Sequence, residues 1–282
     1  MKFSKRLDLF GDEIFAALNE RRLELEKQGK KIYNMSVGTP DFHTPDHIKK
    51  ALMEAAADDQ NWRYSLRDLP ELLDAVCAYY KKRFHVEITP DMVMSVYGSQ
   101  EGMGHLGMTL CDEGDVVLLP NPCYPVFAAG SKLGGAVPYY YPLVAEHDFL
   151  PYVKDIPEDV ARKSRYMVVS LPSNPVGSIA TPGLYEEIVA FAKKYDIVII
   201  HDNAYSDIIF DGVEGGSFLA TPGAREVGVE FFSLSKILLN GNRRQNQLSH
   251  WKSRNHLCSK KASQPDRFRY VPANPESCYR CS

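Results

Sequence analysis

The residues best suited to chemistry are Asp202, Tyr205 and Lys236, in the second half of the chain. The first two follow the apolar run 197–200, and Lys236 closes the sequence Ser-Leu-Ser-Lys at 233–236. A run of Val and Ile without alternation is typical of a strand buried on both faces, as in parallel sheets. Because ligands of open parallel sheets bind beyond the carboxyl ends of the strands, we expect these side chains to meet there. A carboxylate, a phenol and an amine in one place can hold and move protons on a bound ligand.

The elements that must position these residues alternate between helix and strand. Amphipathic spacing predicts helices at about 8–28, 46–57, 69–84 and 183–194, and a further helix that ends at 110. Apolar runs predict strands at 92–97, 116–119, 166–171 and 197–200. Each of these strands ends in a polar or Gly/Pro cluster. The alternation favours an α/β fold, a mostly parallel sheet with helices on both faces and the polar clusters along one edge.

The bulk composition is that of an ordinary globular protein. A chain of 282 residues with 44% hydrophobic and 24% charged side chains can form one large domain or two modest ones. No stretch approaches the roughly 20 apolar residues of a membrane span. The basic first six residues lead into a charged amphipathic helix, which is unlike a signal sequence. We therefore expect a cytoplasmic protein with no membrane partner, and we interpret Cys77, Cys111 and Cys123 as reduced thiols.

Residues 237–282 differ in character from the rest of the chain. They carry nine basic and two acidic side chains, a net charge of +7, whereas residues 1–236 carry 24 basic and 34 acidic ones, a net charge of −10. The tail contains four residues whose spacing resembles a zinc site, His256, Cys258, Cys278 and Cys281. Because the tail lacks hydrophobic periodicity and interleaved aromatic residues, we predict that it is disordered and binds neither metal nor nucleic acid.

Six short motifs occur in a fixed order along the chain. They are Ser-Val-Gly-Thr-Pro-Asp-Phe (36–42), Gly-Ser-Gln-Glu-Gly (98–102), Asn-Pro-x-Tyr-Pro (121–125), Ser-Asn-Pro-x-Gly (173–177), Asp-x-Ala-Tyr (202–205) and Ser-Leu-Ser-Lys (233–236). In this order they resemble the motifs of class I/II aminotransferases, which are pyridoxal-phosphate (PLP) enzymes of fold type I. A nucleotide-binding Rossmann protein is disfavoured, because no Gly-x-Gly-x-x-Gly follows an early strand.

The resemblance covers about residues 5–236 and implies a division of the chain into three parts. An N-terminal arm and small-domain segment would occupy 1–45, and the large, PLP-binding α/β domain would occupy 46–236 without being complete. The tail at 237–282 has no counterpart in the family. The reaction implied is the transfer of an amino group from an amino acid to a 2-oxo acid.

The resemblance also assigns roles around the cofactor ring. It makes Lys236 the amine that binds the cofactor's aldehyde covalently and later moves the proton from the amino acid's alpha carbon. Asp202 is expected to pair with the pyridine nitrogen and keep it protonated, so that the ring withdraws electrons. Asn174 and Tyr205 are expected to donate to the phenolate oxygen, and Tyr124 to stack on the ring. From the residues alone, Asp202 could instead cap a helix, Asn174 belong to a turn and Tyr124 fill the core.

For the phosphate of the cofactor, the resemblance implies five side chains. They are Ser99, Gln100, Ser233, Ser235 and Arg244. Ser99 and Gln100 lie where backbone N–H groups open a predicted helix, which is an inherent anion site, although ordinary capping is the alternative. Arg244 stands eight residues beyond Lys236, where the family has an arginine, but Asn242 replaces the glycine of the family's Gly-x-Arg.

Two more residues are assigned through the resemblance. Tyr64 matches a tyrosine that reaches the phosphate from the partner subunit, which implies a homodimer, although the family usually has glycine at the place of Asp68. An ordinary surface tyrosine is the alternative. Gly38 matches a loop glycine whose backbone approaches the substrate carboxylate, and a plain turn glycine is the alternative.

After Lys236 the resemblance stops, although family members continue into a small domain with an arginine for the substrate carboxylate. A reading-frame shift is our hypothesis for this break. The codons allowed for 242–252, read one nucleotide later, can encode a string that resembles the family's Gly-x-Arg strand. We therefore expect this chain to have weak activity or none.

Two other functions fit the same motifs. The first is a PLP-dependent carbon–sulfur beta-lyase, which would release pyruvate and ammonia from cystathionine without an oxo acid. The second is a non-catalytic PLP-binding or interaction protein, or a pseudogene product, which would show the absorbance of bound PLP without turnover. The identity of the substrate is not predicted from the sequence.

Overall fold

The structure consists of two compact units. The computed structural model describes residues 3, 8–10, 14–35, 43–63, 65–237 and 256–259. The first unit is Met1–Phe42 and the second is His43–Ser282. The first contains α1 (Ile14–Lys27), where Arg22 pairs with Glu26 one turn later at 2.8 Å, a spacing that supports a helix. The predicted N-terminal helix is therefore present over 14–27.

A seven-stranded sheet forms the centre of the second unit. Its strands are β1 (Val93–Val96), β2 (Val116–Asn121), β3 (Val137–Pro142), β4 (Ser164–Ser170), β5 (Val198–Asn203), β6 (Gly228–Ser233) and β7 (His256–Ser259). Their spatial order is β1-β7-β6-β5-β4-β2-β3. The strands from β6 to β3 run parallel, and β7 is antiparallel to both of its neighbours. The prediction of a mostly parallel α/β sheet is confirmed.

Helices connect the strands and lie close to the predicted positions. Those of the second unit are α2 (Asp46–Ala57), α3 (Pro70–Phe84), α4 (Ser99–Leu110), α5 (Pro125–Leu133), α6 (Glu158–Lys163), α7 (Leu184–Tyr195), α8 (Ala224–Val227) and α9 (Leu234–Ile237). In the part of the chain that the structure describes, no helix combines the length and the apolar character needed to cross a bilayer.

The sheet is buried on both faces because its central strands are apolar at successive positions. Leu118 of β2 belongs to a core cluster on one face, to which α3 and α7 contribute. Val117 and Leu119, its neighbours in the same strand, belong to a second cluster on the other face, with contributions from α4 and α5. Side chains alternate between the faces of a strand, so a strand without polar positions must be covered twice. This confirms the interpretation of the Val- and Ile-rich runs.

The sequence pattern does not predict β3 or α5. Strand β3 contains Pro138 and Pro142, and proline cannot donate to a ladder of hydrogen bonds. Among the described strands, β3 lies at the edge of the sheet and pairs with β2 alone, so these prolines are tolerated. Helix α5 begins at Pro125, inside a Pro-rich motif that suggests a loop, yet proline is well suited to a first helical position.

One segment of the tail departs from the prediction of disorder. Residues His256–Ser259 form β7, which lies between β1 and β6 and pairs with both. Without a strand there, backbone groups along β1 and β6 would lack partners, and unpaired buried backbone groups are unfavourable. Pairing thus outweighs the weak hydrophobic pattern of the tail. Among the described residues, no three His, Cys, Asp or Glu side chains cluster as a metal site would require, and Cys278 and Cys281 lie outside those residues.

Asp68, which stands where the family usually has glycine, is bound to β1. Its carboxylate accepts hydrogen bonds from the backbone N–H of Ser95, at 3.0 Å, and from the Ser95 hydroxyl. Because β1 lies at the edge of the described sheet, its outer N–H groups have no neighbour among the described strands. A side chain that occupies such a donor also blocks pairing with another chain. The departure from the family pattern therefore has a structural role.

Helices α4 and α5 cross at a distance that only glycine allows. A Cβ atom added to Gly107 would lie 2.2 Å from the carbonyl oxygen of Gly130. A Cβ atom on Gly104, one turn earlier in α4, would meet no atom of the other described segments within 4 Å. The two glycines therefore differ in packing although they occupy the same helix.

We predict opposite effects of alanine at these two positions. Gly107→Ala must push two backbones apart and should lower the free energy of unfolding by about 1–3 kcal/mol. Gly104→Ala, the matched control, should raise it by about 0.5–1 kcal/mol, because alanine loses less backbone entropy in a helix. Urea unfolding of the two variants and the parent measures both values. Equal effects of the two changes would contradict the close crossing.

Candidate active site

Asp202 is buried at the carboxyl end of β5. The strand runs to Asn203, three residues beyond the predicted end of the apolar run, so Asp202 lies within it. Its side chain is 8% exposed, and Oδ1 has no hydrogen-bond partner among the described residues. Burial raises the pKa of Asp202 to about 6, against the lowering effects of the His201 charge and the Ala204 backbone N–H. A protonated nitrogen of a ligand would supply the missing partner.

Tyr205 connects the predicted residues of the site. The side-chain amide of Asn174 donates to Tyr205 Oη at 3.3 Å. The amine of Lys236 lies 5.5 Å from the centre of the Tyr205 ring. Burial and the charges of Asp202 and Tyr124 raise the pKa of Tyr205, while the bond from Asn174 lowers it. The structure thus brings together the acid, the phenol, the amide and the amine, as the sequence predicts.

A clamp from α3 holds the turn that carries Tyr205. Asp207, two residues after Tyr205, accepts from Arg83 Nε at 2.9 Å and from Tyr79 Oη at 2.6 Å. Arg83 and Asp207 form an ion pair whose side chains are only 15% and 10% exposed. These residues are not predicted from the sequence, because 124 positions separate the two charges and no local pattern links them.

The first turn of α4 forms a second part of the site. Ser99 and Gln100 open this helix, as predicted, after Gly98 in a backbone conformation with φ 124° that L-residues rarely adopt. The amide of Gln100 donates to Tyr124 Oη at 2.6 Å. The structure therefore links Gln100 with the predicted stacking residue. Backbone N–H groups at the start of a helix are suited to an anion.

Three more predicted site residues lie at or just after the carboxyl end of β6, the strand beside β5: Ser233, Ser235 and Lys236. Ser233 is the last residue of β6, and the other two belong to α9. The Ser233 side chain is buried, and its hydroxyl has no hydrogen-bond partner in the described part of the chain. With Asp202 Oδ1, it is a second buried polar atom that a ligand could satisfy. Gly38, Tyr64 and Arg244, the remaining predicted site residues, lie outside the described residues.

These features define an α/β protein with a candidate cofactor site at the carboxyl edge of a parallel sheet. A model of the family "Aminotransferase class I and II" matches residues 30–238, so the chain belongs to that family. Members of this family depend on PLP. The residues present fit such a group: a buried carboxylate with one oxygen unpartnered among the described residues, an amine beside a phenol, and a serine hydroxyl at a helix start.

Known proteins resemble this chain over most of its length. An LL-diaminopimelate aminotransferase of Dehalococcoides mccartyi is 41% identical over 238 residues, which are 84% of this chain and 61% of that protein. Substrate-bound BacF of Bacillus subtilis superposes with a TM-score of 0.83 at 30% identity, over 93% of this chain and 64% of BacF. Aspartate aminotransferase of Thermus thermophilus superposes with a TM-score of 0.80 at 22% identity, over 92% and 65% of the two chains, and shows the shared fold alone.

The chain spans about 61% of the length of the curated relatives it matches. The family match ends at residue 238, two residues after Lys236, where the sequence motifs also end. The resemblance to aminotransferases and the fold-type-I prediction are confirmed for the matched part.

We predict that the Asp202 carboxyl makes stability depend on pH. Its pKa is about 6 in the folded protein against an ordinary value of 3.8, so the folded state binds the proton more tightly. The stability that this proton confers is complete below pH 4 and is lost as the pH rises through 6. The Asp202→Asn variant has no carboxyl to titrate and therefore lacks this loss. In cofactor-free protein, its free energy of unfolding relative to that of the parent should rise by about 3 kcal/mol across this pH range.

Chemical unfolding of cofactor-free parent and Asp202→Asn at a series of pH values measures this difference. Asp159→Asn, at an exposed position of α6, is the matched control and should show a difference that is small and nearly constant. A stability difference for Asp202→Asn that does not change between about pH 4 and pH 7 would show that burial does not perturb this carboxyl.

Proposed function

We propose that this chain carries the PLP-binding part of an amino-acid aminotransferase. The observation that supports this most is the buried carboxylate of Asp202, which lies in the same site as Tyr205 and Lys236 and has one oxygen without a partner among the described residues. Isolated buried carboxylates are unfavourable, and such groups persist mainly where a ligand or a reaction needs them.

PLP supplies an electron-withdrawing pyridinium ring that accepts the electrons released at the substrate's alpha carbon. Asp202 would hold the proton on the ring nitrogen by charge proximity. Lys236 would hold the cofactor through a bond to its aldehyde carbon, formed with loss of water, and the amino group of the substrate would displace it. The freed amine of Lys236 would then carry the proton removed from the alpha carbon. Asn174 and Tyr205 would donate to the phenolate oxygen, and Tyr124, held by Gln100, would lie on the ring.

The remaining assignments extend this proposal to the phosphate and the substrate. Backbone groups at the start of α4, with Ser99 and Gln100, would bind the phosphate together with the hydroxyls of Ser233 and Ser235. Arg244 would add a positive charge to the same group. Tyr64 of a second copy would complete the site, so the functional form would be a homodimer. We expect that homodimer in the cytoplasm. Gly38 would approach the substrate carboxylate.

For the reaction, we propose transfer of an amino group from an amino acid to a 2-oxo acid. The name of the 41% identical relative suggests LL-diaminopimelate as the first amino donor to test. Because the matched part is 61% of that relative, we expect little turnover by this chain alone. Donor-dependent formation of a new amino acid from 2-oxo acids, followed by chromatography, tests the reaction. Pyruvate and ammonia released from cystathionine without an oxo acid would identify a beta-lyase instead.

We predict that Lys236 is the covalent anchor. Addition of PLP to the chain should give a visible absorbance band, and borohydride reduction followed by peptide mapping should place the cofactor on Lys236. Lys236→Ala should abolish the band and the labelled peptide, whereas Lys163→Ala, at an exposed position of α6, should leave both unchanged. A label that persists in Lys236→Ala, or that maps elsewhere in the parent, would refute the proposed role.

The reading-frame hypothesis makes a separate prediction about the gene. Sequencing should reveal, one nucleotide out of frame after the codons for 237–241, a string with the family's Gly-x-Arg. An intact reading frame without aminotransferase residues downstream would refute the frame shift. This result would not affect the proposed role of Lys236.

A further inference from the structure

Two donors on one face of α3 bind the carboxylate of Asp207, in the turn that carries Tyr205. Tyr79 and Arg83 are four residues apart in the helix, so their side chains project from the same face. Arg83 Nε donates to Oδ1 of Asp207 at 2.9 Å, and Tyr79 Oη donates to Oδ2 at 2.6 Å. Each carboxylate oxygen therefore accepts a hydrogen bond from a different residue of α3. Tyr79, Arg83 and Asp207 together are called the α3 clamp below.

The clamp also reaches the backbone of the turn. A second guanidinium nitrogen of Arg83 donates to the carbonyl oxygen of Ser206, the residue after Tyr205, in a long bond of 3.4 Å. Within the turn, the backbone N–H of Ile208 donates to the carbonyl oxygen of Tyr205 at 2.9 Å. The ion pair of Arg83 with Asp207 is largely shielded from water. Because a shielded pair is screened less than a surface pair, it ties the turn firmly to α3.

Tyr79 connects the same turn with the strand that leads to Lys236. Its ring centre lies 5.2 Å from that of Phe232, a buried residue of β6. Lys236 follows Phe232 after three intervening residues and belongs to α9. Through Tyr79, helix α3 thus contacts both the turn of Tyr205 and the strand before Lys236. The amine of Lys236 lies 5.5 Å from the centre of the Tyr205 ring, so α3 is a common support for these two groups.

The hydroxyl of Tyr205 is held weakly by its own contact with Asn174. The Asn174 amide donates to Tyr205 Oη at 3.3 Å, which is longer than most hydrogen bonds between nitrogen and oxygen. The position of the phenol therefore depends mainly on where the turn places the backbone of Tyr205.

We propose that the three residues of the α3 clamp are positioning residues, which hold the Tyr205 phenol where it can donate to the phenolate oxygen of PLP. The role toward PLP rests on the proposed function, whereas the restraint on the turn does not. The restraint acts through the geometry of the hydrogen bonds. Loss of the Asp207 charge alone leaves the phenol in place, and loss of the bonds releases it.

Two variants of Asp207 separate geometry from charge. In Asp207→Asn, the amide oxygen can accept from Arg83 and the amide nitrogen can donate to Tyr79 Oη, because a hydroxyl both donates and accepts. Asp207→Ala removes both bonds. Each variant leaves Arg83 without its counter-charge and should lower the free energy of unfolding in urea. If Asp207→Ala does not fold, Tyr79→Phe takes its place, because it removes one hydroxyl and retains the ring.

Hydrogen exchange measures the restraint on the turn without any cofactor. The Ile208 amide should exchange at least about tenfold faster in Asp207→Ala than in the cofactor-free parent, with a smaller increase in Tyr79→Phe. In Asp207→Asn the rate should stay within about threefold of the parent. Gly107→Ala, which destabilises the crossing of α4 and α5 instead, is the control and should leave the Ile208 rate unchanged.

Three results of this exchange experiment would overturn the proposal. The first is an unchanged Ile208 rate in Asp207→Ala. The second is an equal increase in Asp207→Ala and Asp207→Asn, which would assign the effect to charge. The third is an equal increase in Gly107→Ala, which would assign the effect to lower overall stability.

With PLP bound, the pH dependence of its absorbance band reports on the phenol. A donor to the phenolate oxygen withdraws negative charge from it and so disfavours a proton on the nitrogen that Lys236 contributes. Tyr205→Phe, the reference for complete loss of this donor, should raise the midpoint of the titration by about one pH unit. Asp207→Ala should raise the midpoint as well, and Asp207→Asn should leave it near that of the parent.

The double variant of Tyr205→Phe and Asp207→Ala tests whether the clamp acts through the phenol. Once the hydroxyl is absent, release of the turn has no donor to displace. The double variant should therefore titrate at the same pH as Tyr205→Phe alone. An additive shift, or a midpoint in Asp207→Ala equal to that of the parent, would refute the positioning role whatever the loss of stability.

The two arms also separate this proposal from the proposed function. If the parent chain does not bind PLP, the proposed function fails, and hydrogen exchange still decides whether the clamp restrains the turn. If PLP binds the parent, and Asp207→Ala changes neither the exchange of Ile208 nor the midpoint, the positioning role fails and the proposed function stands.

Discussion

The burial of a carboxylate at the carboxyl end of β5 is the constraint on which the candidate site depends. Asp202 lies between β4 and β6 in the middle of a parallel sheet, where water is excluded and Oδ1 finds no partner among the described residues. Desolvation raises its pKa to about 6. A protein core does not favour such a group, so its retention at the edge where ligands bind indicates a function for the carboxylate.

Two sets of contacts from opposite directions organise the surroundings of this carboxylate. Behind the sheet, the side chains of His201 and Glu230 are hydrogen-bonded to each other, and each polar atom of the two has a partner. In front, Tyr205 contacts Asn174 and lies under the amine of Lys236, and Asp207 anchors its turn to Arg83. The site is thus built on rigid strands and on a turn tied to α3, which suits a ligand that must be held in one orientation.

Much of the fold follows from local patterns, and the exceptions have identifiable causes. Strong signals come from the apolar runs of β4 and β5, because a strand buried on two faces is apolar at successive positions. The amphipathic spacing of α2, α3 and α7 is equally clear, because a helix buried on one face repeats its apolar residues at helical spacing. Strand β3 and helix α5 contain prolines that suggest loops. Strand β3 forms because it lies at an edge of the described sheet, and α5 forms because proline suits its first turn. Strand β7 has little pattern of its own and depends on the gap between β1 and β6.

The sequence by itself determined the family and the parallel sheet and indicated the candidate site residues Asn174, Asp202, Tyr205 and Lys236, because short motifs and hydrophobic periodicity are local properties of the chain. Only the tertiary structure decided that Asp202 is buried with one oxygen unpartnered in the described part of the chain, that Gln100 binds Tyr124, and that Arg83 holds the turn after Tyr205. The same holds for His201 and Glu230, which are 29 residues apart in sequence and adjacent in the sheet. Desolvation and pairing between distant residues depend on which strands become neighbours, and no local pattern encodes that choice.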